Sequence, residues 1–554
     1  MDSSDYERDN KGPWHIIVAV AAFVLYIWTA PLRDLYGLEA RTALIAREML
    51  ERGLGFFPTA FGNIYPDYTP LYFWLEAVFS MPTGHISTLS AVLPSAISAA
   101  GLVAITSKLG SKVSRRVGLF SAVILASNPQ FWQEAAHAAI DMLLAFFVGL
   151  SILYLFSKDK NLLQNKKINF RHYLFVALAI SLAFLTKGLI GVILPLAIWG
   201  GYLILSGRFR DLLPFFIFIG LLGALLMGGE LLYAWHTGGT ALAQKILTAQ
   251  VTGRVGEEAN KPAYYYAIFL AQGIGPWWIW IISWGIMTFR SKASGARSFV
   301  IGVSENNILR LSLAWLFSVL LIFSLASSRH GRYLVPLLPA LSILIGMAVQ
   351  NVVNTPIPRH NRLYLRLAGI VLAVLLIVGL VCVFRPPFGL AVPTFMVLIW
   401  LSVVIAGWLL IIKRASLETV LPSMTALILA CGISGYELIF EPALSKAESG
   451  KSFVMDAERD LKRPMQIVLY GIKQDGDGVK YALFSKTLSK DILFIPKSVK
   501  DLKRYMLPTK FIMVGYKKDI LELEERTRHT LAFTQTAIGH IHKKEVTAVT
   551  VRQL

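Results

Sequence analysis

The apolar residues of this chain gather into long blocks, and charge concentrates in the short stretches between them. Thirteen blocks read as membrane-crossing helices, for which about 20 apolar residues suffice: roughly 14–30, 86–107, 116–128, 140–157, 172–187, 188–206, 212–235, 263–289, 307–326, 332–351, 365–384, 392–412 and 417–438. The first block lacks a small-residue cleavage site and reads as a retained helix. After it comes "YGLEARTALIAREMLERG", residues 36–53. Here Ala43, Ala46, Met49 and Leu50 recur at helical spacing, predicting an amphipathic helix with Glu48 and Arg52 as a surface pair. This helix is either an anchor on the membrane surface or the carrier of a reactive carboxylate, Glu39. Past residue 440 the pattern shortens. "MQIVLYGI", "YALFSK", "DILFIP" and "KFIMVGY" read as strands between polar, helix-prone segments. The expected fold is mainly α: a polytopic helical membrane domain over 1–438 and a small extramembrane α/β domain over 440–554.

Composition agrees with this picture. Of 554 residues, 55% are hydrophobic and only 16% charged, whereas soluble domains carry roughly a quarter charged. The net charge of +20 would suggest a nucleic-acid binder in a soluble protein. In a membrane protein it marks cytoplasmic loops and contact with anionic lipid or phosphate. Alternate loops, "SKLGSKVSRR", "SKDKNLLQNKKINFRH", "SGRFRD", "FRSKASGAR", "PIPRHNR" and "KR", are the basic ones. They place the N-terminus in the cytoplasm and the C-terminal domain outside. Cys382 and Cys431 sit in apolar runs without metal or redox spacing.

Three segments on the expected outer side are too long or too polar for simple turns: 31–85, 236–262 and 327–332. Long ordered loops usually carry function. Glu39 opens the first loop helix, where the helix dipole alone would favour an acid. Asp141 stands at the outer start of the fourth span, as a helix cap or as a working acid. Lys187 lies at the outer turn between spans five and six, where it either snorkels to the interface or meets a phosphate. Arg254, Lys261, Arg329 and Arg332 add cations on the same side, and Tyr333 follows. Carboxylates facing guanidinium groups suit an amphiphile with an anionic head group. No Gly-rich phosphate loop follows a strand, no His or Cys pair has zinc spacing, and the spans lack the mid-bilayer charges of an ion-coupled transporter.

These residues also carry a resemblance. "LEARTALIAREM", "AIDMLLAFF", "LTKGLIGVILP", "SSRHGRYLVPLLPAL" and "KPAYYYAIFLAQGIGPW" resemble segments of the protein-mannosyltransferase-like glycosyltransferases of GT-C fold, including the bacterial aminoarabinose transferases of lipid A (ArnT). The resemblance covers nearly the whole chain. It implies an inverting glycosyltransferase of the bacterial inner membrane that moves a sugar from a polyprenyl phosphate such as undecaprenyl phosphate to a lipid A or other envelope acceptor at the periplasmic face. Glu39 and Asp141 would form the reaction centre. Arg41, Tyr65, Asp67, Tyr68, Lys187, Arg254, Arg329, Arg332 and Tyr333 would bind substrate. The cofactor need stays open, with a divalent metal near Asp67 as its one candidate. Departures from the family pattern are Leu38 where it has Asp, Thr42 where it has Tyr, and "DYT" at 67–69 where it has Glu-Lys-Pro. No His precedes Arg254 where lipid A enzymes help hold a metal. The alternatives are a protein O-glycosyltransferase of the same fold and a non-catalytic protein that binds or translocates polyprenyl phosphate.

Overall fold

The computed structural model describes residues 14–163, 170–251, 261–262, 264–290, 306–326, 329–353, scattered positions from 370 to 381, 394–414, 417–459, 465–497, 510–528, 530–541 and 544–553. The eleventh expected span falls largely outside the described residues, and so do Cys382 and Arg254.

The helices of the membrane part and its first loop are α1 (Trp14–Ile27), α2 (Gly37–Arg52), α3 (Leu71–Ser80), α4 (Thr88–Gly110), α5 (Arg115–Ala126), α6 (Pro129–Ala135), α7 (Ile140–Leu163), α8 (Phe170–Lys187), α9 (Ile190–Leu205), α10 (Phe209–Gln250), α11 (Tyr265–Ile274), α12 (Trp278–Arg290), α13 (Asn307–Leu325), α14 (Leu338–Val353), α15 (Thr394–Arg414) and α16 (Leu417–Ile439). Among the described residues, nine helical stretches are long and apolar enough to cross a membrane. Three other expected spans are shorter helices, α5, α8 and α9. Helix starts follow local chemistry. Ser87 and Ser90 form a capping box at α4, Ser114 accepts from the Val117 N–H at α5, and Asn128 caps α6 with Pro129 in its first turn. Small residues let the central helices touch. A Cβ on Gly118 would stand 2.7 Å from the Ser107 carbonyl, and one on Gly346 would stand 2.6 Å from Ser121 Oγ. Close approach through Gly and Ser is how helices pack where lipid supplies no hydrophobic drive.

The first part of the expected second outer loop, to Gln250, is helical. α10 runs on to Gln250 with a break at Gly238 and Gly239. Gln250 donates to Glu230 at 2.8 Å, although 20 residues of straight helix would part them by about 30 Å. The segment after the break therefore doubles back.

The C-terminal region adds α17 (Glu441–Ser449), α18 (Lys451–Ala457), α19 (Val479–Phe484) and α20 (Lys517–Thr527). After the small loop hairpin of β1 (Thr59–Ala60) and β2 (Asn63–Ile64), its strands are β3 (Ile467–Tyr470), β4 (Leu493–Ile495), β5 (Lys510–Tyr516), β6 (Leu531–Ile541) and β7 (Lys544–Gln553). They form one sheet in the order β4-β3-β5-β7-β6, parallel from β4 to β5 and antiparallel beyond. Three expected strands are present. "YALFSK" is instead the helix α19 and the turn after it, because Arg47 Nη1 takes the carbonyls of Ala482, Leu483 and Ser485 at 2.8–3.1 Å. Those carbonyls would otherwise be orphaned at a helix C-terminus.

That contact also corrects the reading of α2. Of its apolar stripe, Ala43, Ala46 and Met49 are buried inside the protein and Leu50 is half-buried, Ala43 and Met49 lying in a hydrophobic cluster shared with α3 and the C-terminal sheet. The helix is not a membrane-surface anchor. Glu48 is likewise buried rather than superficial. It accepts from Thr59 Oγ1 at 2.6 Å and from Ser489 Oγ, with Arg52 at 3.9 Å.

Candidate active site at one end of the bundle

Four elements carry charge to the end of the bundle that faces the C-terminal sheet: the first turns of α2 and α7, the last turn of α8, and the 3₁₀ turn Gly331–Leu337. With α6 and the first loop they enclose a cavity of about 230 Å³ whose wall includes Leu38, Glu39, Arg41, Glu134, Asp141 and Arg332.

Glu39 is buried and fully engaged. Arg33 donates to its two oxygens at 2.5 and 2.8 Å, and the Ala138 N–H donates at 2.7 Å. Arg33 also reaches the Ala136 carbonyl at 2.8 Å. Burial works against the charge on Glu39, but Arg33 and His137 hold its carboxyl below the usual range. Glu39 is thus an anchored anion in the cavity wall. Below it, Glu76 is buried with neither oxygen hydrogen-bonded among the described residues. Burial and the nearby Glu39 push its pKa well up.

Asp141 pairs closely with Lys187 and lies 3.4 Å from Arg332 Nε. Lys187 lies 4.2 Å from the centre of the Tyr333 ring and 6.0 Å from that of Tyr68, a cation–π setting. The end of α8 is fixed locally. Thr69 Oγ1 donates to the Phe184 carbonyl at 2.8 Å and accepts from the Gly188 N–H at 3.2 Å, while Gly188 turns with φ +69°. Lys187 therefore stands behind Asp141 and neutralises it, outside the cavity wall proper. Arg332 is left facing the cavity, and its Nε makes no hydrogen bond among the described residues.

The remaining expected residues separate. Arg41 lines the cavity and ties Tyr65 Oη (3.2 Å) to the Asp475 carbonyl (2.8 Å) of the C-terminal region. Tyr65 and Tyr68 line it too; burial and Asp67 push the Tyr65 hydroxyl up to about 12. Asp67 stands beside Tyr65 and outside the wall. Arg329 is directed away, donating to the carbonyls of Lys261 (2.6 Å) and Ser324 (2.9 Å). Among the described residues no group of three or more His, Cys, Asp or Glu side chains is placed to hold a metal.

Sequence reasoning missed Arg33, Glu134 and His137. A signal existed for the last two. Glu134, His137 and Asp141 stand at i, i+3 and i+7, the spacing of one helical face. His137 Nε2 lies 3.0 Å from Glu441 Oε1, which also accepts from Tyr36 Oη at 2.6 Å. Burial and Arg33 oppose the charge on His137, yet Glu39 and Glu441 raise its pKa to about 9. Burial opposes the charge on Glu441 as well, but His137 and Tyr36 bring it down to about 2.

A raised His pKa adds stability that is whole below its ordinary 6.5 and lost as pH climbs through about 9. A lowered Glu pKa adds stability that is whole above its ordinary 4.5 and lost as pH falls through about 2. The pair should therefore stabilise most from about pH 4.5 to 6.5. Thermal melts check this: between pH 6.5 and 9 the native protein should lose more Tm than His137→Asn does, and parallel curves would contradict it.

Known proteins resemble this chain. The family model for dolichyl-phosphate-mannose-protein mannosyltransferases matches residues 67–230. An undecaprenyl phosphate-alpha-4-amino-4-deoxy-L-arabinose arabinosyl transferase of Shewanella sediminis is 23% identical over 60% of this chain and 59% of its own length. One from Pseudomonas fluorescens is 25% identical over 72% of this chain and 70% of its own. The crystal structure of ArnT from Cupriavidus metallidurans bound to undecaprenyl phosphate superposes with a TM-score of 0.69 at 17% identity, over 97% of this chain and 98% of that one. From its first span to its C-terminal sheet, then, this polytopic membrane protein has the fold of ArnT.

Proposed function

We propose that this chain transfers a sugar from a polyprenyl phosphate, undecaprenyl phosphate in the relatives' names, to lipid A or another cell-envelope acceptor. The cavity lies at the periplasmic face of the bacterial inner membrane, an orientation supported by the basic loops on the opposite side. One observation carries the reading. Two cations, Lys187 and Arg332, share the single carboxylate of Asp141, and Arg41 adds a third positive charge to the wall of the same cavity. These cations would stabilise the additional negative charge that a phosphate held there gains as its bond to the sugar breaks, which is the electrostatic help that a phosphate leaving group needs. Glu39 shapes the wall and keeps Arg33 in place, and Asp141 orients Arg332. Attack from the side opposite the phosphate gives inversion at the anomeric carbon.

A protein acceptor is the second reading. It is favoured by the match to protein mannosyltransferases over 67–230. Mass spectrometry of envelope lipids, glycans and proteins from a deletion strain separates the two. Loss of one sugar mass from a lipid or glycan, restored by the native gene and not by Arg332→Met, supports the first reading. Loss from proteins supports the second, and an unchanged envelope sinks both.

A further inference from the structure

Three carboxyl groups border the cavity: Glu39, Glu134 and Asp141. Two are committed, Glu39 to Arg33 and the Ala138 N–H, and Asp141 to Lys187 and Arg332. Glu134, in the last turn of α6, makes no hydrogen bond or ion pair among the described residues, and it is half-buried where it borders the cavity. Leu38, where the family pattern puts an acid, offers the same cavity only an apolar side chain. Glu134 is thus the uncommitted carboxyl group among the three that border the cavity.

We propose that Glu134 is the catalytic base and that the acceptor is consequently a hydroxyl compound. The proposal rests on the transferase reading. The acceptor oxygen forms its bond to the anomeric carbon with its own electron pair. The bond from that carbon to the phosphate oxygen breaks, and its pair leaves with the carrier phosphate. The hydroxyl proton passes to a Glu134 oxygen and later to water. An acceptor that attacked through an ionised phosphate would have no proton to give up, and it would meet the Glu134 charge as a repulsion. A neutral hydroxyl is the nucleophile for which a free carboxylate is useful.

The surroundings suit the task. Asp141 faces Glu134 from α7, Lys187 from α8, Arg332 from the 3₁₀ turn, and His137 from its own segment. Burial and Asp141 raise its pKa, the three cations limit the rise, and it settles at about 7. A base with that value is both deprotonated and able to accept a proton near neutral pH.

The test uses purified full-length protein in nanodiscs with radiolabelled undecaprenyl-phosphate hexose and pentose donors and an envelope lipid extract as acceptor. It reads the release of undecaprenyl phosphate. Native protein should release carrier with kcat/KM rising between about pH 6 and 8. Glu134→Gln should lower kcat by about 10²-fold or more, with a flat profile over that range, while undecaprenyl phosphate binds as tightly as before or tighter. Glu134→Asp should recover part of the rate and the sloping profile. Preserved binding shows that the Gln variant is folded. The product should withstand mild acid as a glycoside on a hydroxyl does. A Gln variant that keeps the native rate or pH limb overturns the base, and an acid-labile glycosyl phosphate overturns the hydroxyl acceptor. No release by native protein with any donor overturns the transferase reading, and Glu134's role with it.

Discussion

Undecaprenyl phosphate should bind about 10²-fold more weakly when Arg332 is replaced by methionine, since charge-assisted hydrogen bonds are worth roughly 1.5–3 kcal/mol each. Lys187→Met should weaken binding to a similar degree by a different route. Lys187 neutralises Asp141, so removing it frees a buried carboxylate 3.4 Å from Arg332 Nε. That carboxylate would then compete with the phosphate for the guanidinium. Adding Asp141→Asn to Lys187→Met should therefore restore most of the affinity. If Lys187 gripped the phosphate itself, the double variant would stay as weak as the single one. Quenching of intrinsic tryptophan fluorescence by added undecaprenyl phosphate measures all three variants, and failure of the double variant to recover would overturn this division of labour.

Arg33→Met should cost about 3–5 kcal/mol of stability, the usual consequence of stranding one member of a buried ion pair. Its guanidinium side chain is 1% exposed, and that of Glu39 5%, so water cannot take over the lost contacts. The Ala136 carbonyl would lose its donor as well. Arg33→Lys should rescue only in part, because an ammonium cannot reproduce the two-pronged contact. Arg33→Met with Glu39→Leu should recover much of the loss, since replacing both partners by apolar groups is often close to neutral. Thermal unfolding in detergent decides the point. Arg33→Met melting alongside native protein would mean that the pair does not hold the cavity wall.

The parts of this molecule that were legible in its sequence are those with local causes. Long apolar blocks make long helices because lipid leaves the backbone no other partner, and twelve of the expected spans coincide with described helices. Asp141 and Arg332 were identifiable because a charge at the end of an apolar run needs a reason. What escaped was decided by contacts distant in sequence. "YALFSK" has the aromatic content of a strand, yet Arg47, more than 430 residues away, completes its helical end. Glu39 looked reactive because its partner Arg33 and the Ala138 N–H meet it only in the folded chain. Glu48 looked exposed because nothing in its own helix reveals Ser489. Nothing in the sequence around Lys187 reveals its ion pair with Asp141, 46 residues away.

The central claim is that Arg332 and Arg41 hold the phosphate of a sugar carrier while its sugar is transferred. Release of free undecaprenyl phosphate from a labelled undecaprenyl-phosphate sugar by purified protein, with envelope lipid as acceptor, tests it most directly. The account predicts release by native protein and release about 10²-fold slower by Arg332→Met. Release that is equally fast in Arg332→Met, or absent from native protein with every hexose and pentose donor, would contradict it.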